Sequence, residues 1–180
     1  PVTGIQESAR TARYNMMLCW CRQNGVRDLI LGHHQEDQAE TFLMRIARDS
    51  GIDGLACMRR VTVRGGVRLI RPLLSVPKNR LRATLFDLGQ EWLEDPSNTN
   101  PAFTRTIMRN LTNALDTRKR GVDAKRLAEM AEEFRRLRKS LGDVTAFAIE
   151  RAATIYDTGW AAIDLKFLIN LPDEILQRVM

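Results

Sequence analysis

The sequence predicts an α/β fold, in which a parallel sheet with helices on its faces is followed by a mostly helical region. Three observations lead there. Leu29-Ile30-Leu31, closed by Gly32, is a short apolar run that reads as a strand buried on both faces. Helical periodicity precedes and follows it across short connections, the helix–strand–helix order that builds parallel sheets. Beyond Asp123 the spacing changes to a sustained three-and-four step, as in a long amphipathic helix.

In chain order, residues 5–23 carry Ile5, Ala9, Ala12, Met16 and Cys19 or Trp20 at helical spacing, and Asn24-Gly25 supplies a left-handed stop. After the strand, Ala39, Phe42, Leu43, Ile46 and Ala47 form one stripe of a helix over 36–48, with Glu36, Asp37 and Glu40 in its first two turns, where carboxylates suit the macrodipole. Residues 50–54 read as a loop. Residues 59–64 and 67–71 alternate around Gly65-Gly66, which predicts a β-hairpin. A helix from Lys78 to Leu88, with Leu81, Leu85 and Leu88 inward, ends at Gly89, and helix resumes from Arg105 to Leu115 after a turn-forming stretch over 95–101. Leu127, Met130, Phe134, Leu137 and Leu141 mark the long helix. Residues 154–170 suit one or two strands, and Leu171-Pro172-Asp173-Glu174 opens a last helix.

The candidate site lies between the strand and the acidic-headed helix. In open α/β sheets ligands bind outside the carboxyl ends of the strands, where the chain's only two histidines, His33 and His34, fall beside Asp37 and Glu40. Adjacent residues leaving a strand point to opposite sides, and no HExxH or further histidine completes a ligand set, so no metal site is predicted. Each carboxylate could equally be a simple helix cap.

Composition narrows the classes. A 44% hydrophobic content supports a real core, and no apolar run approaches the roughly 20 residues that span a bilayer. No leader resembles a signal peptide, so a cytoplasmic location is expected. Cys19, Cys21 and Cys57 are odd in number and lack CxxC spacing, which suggests neither a disulfide framework nor a zinc knuckle. The net charge of +6 is concentrated centrally: residues 59–82 hold 8 basic and no acidic side chains, as on a face that follows a phosphate backbone.

At GHHQEDQAET the chain resembles the tRNA(Ile)-lysidine synthetase family of PP-loop ATPases. The resemblance extends through Arg48-Asp49-Ser50-Gly51, Gly54-Leu55 and Met58, Arg71-Pro72-Leu73-Leu74, Trp92 with Asp95-Pro96-Ser97-Asn98, and Phe103, Arg105 and Arg109, in that order. It covers residues 5 to about 115 and implies an adenine nucleotide alpha-hydrolase-like sheet. Residues 1–115 would be the C-terminal part of the PP-loop domain, and 116–180 a helical tRNA-binding or linker domain. The resemblance further implies ATP with Mg2+, tRNA(Ile) with a CAU anticodon and L-lysine. It gives His33 and His34 catalytic or orienting roles, Asp37 and Glu40 the lysine, and Arg13, Arg105 and Arg109 the nucleotide or tRNA. Arg10, one turn before Arg13, reads equally well as a solvated arginine.

Several departures qualify the resemblance. The family's glycine-rich SGGxDS loop lies upstream of the HHxxD motif and has no counterpart in residues 1–32, so a fragment, inactive alone, is expected. Glu36 stands where Asp is usual, Asp49 where Gly is usual, Phe103 where Tyr is usual and Thr106 where Asn is usual. A PP-loop tRNA thiolase and a non-catalytic tRNA-binding module are the alternative readings. The thiolase needs CxxC cysteines that Cys19-Trp20-Cys21 does not supply.

Overall fold

A computed structural model describes residues 2–93, 104–117 and 122–180; the motif residues Asp95, Pro96, Ser97, Asn98 and Phe103 lie outside them. The chain runs α1 (Val2–Gln23), β1 (Asp28–Ile30), α2 (Gln35–Ile46), α3 (Ile52–Leu55), β2 (Val61–Arg64), β3 (Val67–Ile70) and α4 (Lys78–Asp87). It continues with α5 (Thr104–Thr117), α6 (Ala124–Ala152), β4 (Ala153–Ile155), β5 (Ala161–Ile163), α7 (Leu165–Leu168) and α8 (Asp173–Val179). The α/β expectation holds.

The first sheet has the order β1-β3-β2. β1 pairs β3 in parallel with Leu29 opposite Leu69, and β2 pairs β3 antiparallel as the expected hairpin. Gly65 and Gly66 adopt φ of +56° and +78°, the left-handed pair that a two-residue hairpin turn needs. Val67 and Leu69 are buried under Tyr14, Leu18 and Cys21 of α1, with Leu29 and Leu31 packed alongside. On the opposite face Ile30 is 70% exposed, and Arg68 donates to both oxygens of its register partner Asp28 at 2.5 and 2.6 Å. The strand read as buried on both faces is therefore covered on one. β1 lies at the sheet's edge among the described residues, and only α1 packs on it.

The buried face of α1 also differs from expectation. Tyr14, Leu18 and Cys21 point inward, while Met16 and Trp20 are exposed, as are Ala9, Ala12 and Cys19. Residues 16–21 are apolar around more than half the helix, so periodicity allows more than one face, and the contact with Val67 and Leu69 selects among them. Leu88 is likewise exposed, one position past the end of α4.

A second core joins α2 to α6 through Ala39, Phe42, Leu127 and Ala131, with Leu43, Leu55, Met130 and Phe134 packed around them. The rings of Phe42 and Phe134 lie 6.0 Å apart and tilted. Leu137, expected in this stripe, is 53% exposed. The buried line of α6 runs instead through Leu127, Ala131, Thr145, Ala148 and Ala152, because a straight helix of 29 residues drifts off a seven-residue step. Asp123 caps α6 by accepting from the Arg126 N–H at 2.7 Å. β4 and β5 form a separate antiparallel pair, the two strands read over 154–170. No described helix is long and apolar enough to cross a membrane.

Candidate functional site

Parallel pairing of β1 and β3 brings two loops to one end of the sheet. One is His33-His34 entering α2; the other is the segment from Arg71 to α4. The Gln35 N–H donates to the Val76 carbonyl at 3.1 Å, and both oxygens of Glu36 accept the Lys78 N–H at 3.0 Å. Glu36 thus caps a neighbouring helix as well as heading its own. Gln38, buried, exchanges two hydrogen bonds with the backbone of Met58, at 3.0 and 3.2 Å, and fixes the following loop against α2. Asp49 leaves that helix at φ +51°, the left-handed region where glycine is unstrained.

The two histidines meet opposite environments. His34 Nδ1 lies 2.9 Å from Glu36 Oε2 and its Nε2 3.5 Å from Asp37 Oδ2. The Glu36 contact raises the His34 pKa above the usual imidazole value, against burial and with help from Asp37. Burial lowers His33 to about 4, opposed by Asp37 and aided by the charges of Arg71, Arg10 and Arg105. His33 is therefore neutral near pH 7, and its Nδ1 is buried without a hydrogen-bond partner among the described residues. Glu36 is held below the ordinary carboxylate range: burial pushes it up, but His34 and the Lys78 N–H outweigh that push.

The two carboxylates expected to act together are separated by burial. Asp37 accepts the His34 backbone N–H at 3.0 Å and keeps its side chain 15% exposed. Glu40 is 1% exposed and takes a 2.7 Å hydrogen bond from Arg109 Nε, while its Oε2 is buried without a partner among the described residues. Burial raises the Glu40 pKa and Arg109 opposes that rise. Arg105 and Arg109 lie one turn apart on α5; Arg109 reaches α2 by this contact, and the charge of Arg105 acts on His33 and Glu40 without a contact. Arg13 is exposed on α1; the arginine of α1 whose charge reaches His33 is Arg10.

Three participants were missed as site residues: Glu36, Arg10 and Arg71. Arg71 was legible in principle. It follows β3 as His33 follows β1, and strands paired in parallel end on one edge.

Replacing Glu36 by Gln is expected to return the His34 pKa toward its ordinary value and to speed exchange of the Lys78 amide, measurable by NMR. The folded-state pKa of His34 is raised, so its contribution to stability is full below about pH 6.5 and is lost as pH rises through the folded value. In the Gln variant that dependence should shrink. An unchanged His34 titration would show that Glu36 does not set it.

The cysteines do not assemble a sulfur site. Cys19 is exposed, Cys21 buried, and the Cys57 thiol is pushed by burial to about 12, which removes thiolate character at neutral pH. Among the described residues no three His, Cys, Asp or Glu side chains are placed to hold a metal ion.

Comparison with known proteins places this arrangement. A family model described as a PP-loop domain matches residues 1–115. The chain is 35% identical over 176 residues to a tRNA(Ile)-lysidine synthase of Wolbachia sp. subsp. Brugia malayi (strain TRS), covering 98% of the chain and 40% of that protein. It is 39% identical to one from Ruegeria pomeroyi, over 98% and 41%, and 40% identical to one from Rhodopseudomonas palustris, over 100% and 52%. The chain thus spans about half, or less, of the length of these relatives. Among solved structures, the U34-tRNA thiolase NcsA from Methanococcus maripaludis superposes with a TM-score of 0.54 at 17% identity, over 72% of this chain and 42% of that one, a likeness of fold. A strand-end histidine pair heading an acidic helix, opposite an arginine-bearing strand end, is carried here by a chain that belongs to the PP-loop domain family.

Proposed function

We propose that this chain is part of a cytoplasmic enzyme that uses ATP, supplied with Mg2+, to adenylate the O2 of the wobble cytidine of tRNA(Ile) bearing a CAU anticodon, with pyrophosphate as the leaving group. The ε-amine of L-lysine then attacks C2 and AMP departs, leaving lysidine. The observation that carries this reading is the sharing of work at the head of α2. One carboxylate, Asp37, stays partly exposed near a neutral His33, and the other, Glu40, is buried against Arg109.

In this reading Asp37 meets the lysine ammonium group, and a short ion pair in a partly closed pocket discriminates well for charge. Glu40 acts on lysine at one remove, by holding Arg109 in place. His33, uncharged near pH 7, orients the reacting groups by hydrogen bonding, while His34, paired with Glu36 and Asp37, holds the loop that presents them. Arg105 and Arg109 face the phosphates of ATP or tRNA, and Arg13 borders the nucleotide. Residues 116–180 extend the tRNA-binding surface. Support for the substrate comes from the lysidine synthase relatives and from the central basic band. The thiolase alternative is disfavoured by the lysidine synthase relatives at 35–39% identity, against a thiolase likeness that is one of fold alone.

The test is ATP-dependent incorporation of labelled lysine into unmodified isoleucine tRNA by the intact protein. Asp37→Asn keeps an acceptor for the His34 N–H and should cut kcat/KM for lysine at least about tenfold, the loss of one charge-assisted contact, with melting unchanged. Folded protein that binds this tRNA yet incorporates no lysine would overturn the reading.

A further inference from the structure

A cleft of about 390 Å³ opens between α1 and the β2–β3 hairpin, beside the strand ends but apart from the Asp37 carboxylate. Arg10, Arg64 and Arg71 line it, with the hydroxyl-bearing Thr11 and Thr62 and one acidic residue, Glu7. Tyr14, 8% exposed, fixes the first two: the Arg10 and Arg64 guanidiniums lie 5.2 and 5.9 Å from its ring centroid. Arg71 is 7% exposed. One terminal nitrogen donates to the Arg59 carbonyl at 3.0 Å and to Thr62 Oγ1 at 3.2 Å, so the guanidinium is locked, yet its Nε–H is buried with no acceptor among the described residues.

A buried cationic donor without an acceptor, beside two further guanidiniums on a rigid ring, is costly in the free protein. An anion with several acceptor oxygens removes the cost, and planar forks suit phosphate better than point charges do. We propose that Arg10, Arg64 and Arg71 form a phosphate subsite for a phosphate ester of one of the enzyme's nucleotide substrates. The proposal rests on the function proposed above only for the source of that phosphate, ATP or the tRNA strand.

The probe is inorganic phosphate, titrated into the intact protein at low ionic strength while the Nε–Hε resonance of Arg71 is followed by NMR. A saturable shift is expected, with affinity about tenfold weaker in Arg10→Gln and in Arg64→Gln and unchanged in Arg48→Gln, an exposed arginine elsewhere. Arg71→Lys, which keeps the charge without the fork, should weaken phosphate as the Gln variants do; because Arg71 also holds the Arg59 carbonyl, the two exposed positions decide the matter if it fails to fold. If tRNA supplies the phosphate, each Gln variant lowers the slope of log affinity against log salt by about 0.7–0.9. If ATP does, KM for ATP rises and the tRNA slope stays. Affinities for phosphate equal in wild type, Arg10→Gln and Arg64→Gln would overturn the subsite even if lysine incorporation persists. Arginine-dependent phosphate binding without lysine incorporation would leave the subsite standing and remove the function proposed above.

Discussion

Arg109→Ala is expected to lower the unfolding free energy by about 2–3 kcal/mol, below the roughly 3–5 kcal/mol of a fully buried pair because the Arg109 side chain is 34% exposed. The mechanism is the stranding of a charge. Glu40 is 1% exposed, and without the 2.7 Å contact its carboxylate has no counter-charge in direct contact. Denaturant unfolding should show the loss, and Glu40→Gln combined with Arg109→Ala should recover part of it, since a neutral amide is cheaper to bury alone. The pH dependence has a definite sign. The Glu40 pKa is already raised by burial and would rise further without Arg109. The unfolded chain titrates alike in both proteins, so the deficit is absent below the wild-type folded value and grows as pH climbs from there toward the higher folded value of the variant. A deficit independent of pH would point to lost packing of the arginine stem instead.

His33 gives the second large effect, with the opposite dependence. Its folded-state pKa is about 4 against an ordinary value of 6.5. Below pH 6.5 the unfolded chain takes up a proton that the folded chain refuses, so stability falls as pH drops from 6.5 to 4. The loss reaches about 2–3 kcal/mol after allowance for the partial exposure of the ring. His33→Gln should abolish this component while leaving stability near pH 8 within about 1 kcal/mol of wild type. Comparing unfolding at pH 8 and pH 5 in both proteins is sufficient. An equal acid loss in the Gln variant would assign it to carboxylates elsewhere.

The helix and strand types were legible because they rest on short-range rules. Gly65-Gly66 between alternating runs can be little but a hairpin turn, and the acidic head of α2 follows from macrodipole and capping chemistry. Grouping His33, His34, Asp37 and Glu40 was legible too, since all four lie within eight residues after one strand. What sequence could not resolve is which of several apolar faces is inward. Met16 and Trp20 are as hydrophobic as Leu18, and only the presence of Val67 and Leu69, some fifty residues on, makes Leu18 the buried one.

The same limit governs the site. By itself the sequence determined a strand end bearing two imidazoles and two carboxylates, the basic band, and an ordered set of motifs that resemble those of the lysidine synthetase family. Tertiary structure alone decided their protonation and pairing, because burial and partner distance act through space. It left Asp37 partly exposed, sealed Glu40 against an arginine 69 residues away, set His33 neutral and His34 prone to charge, and brought Arg71 to the same sheet end through the parallel pairing of β1 with β3.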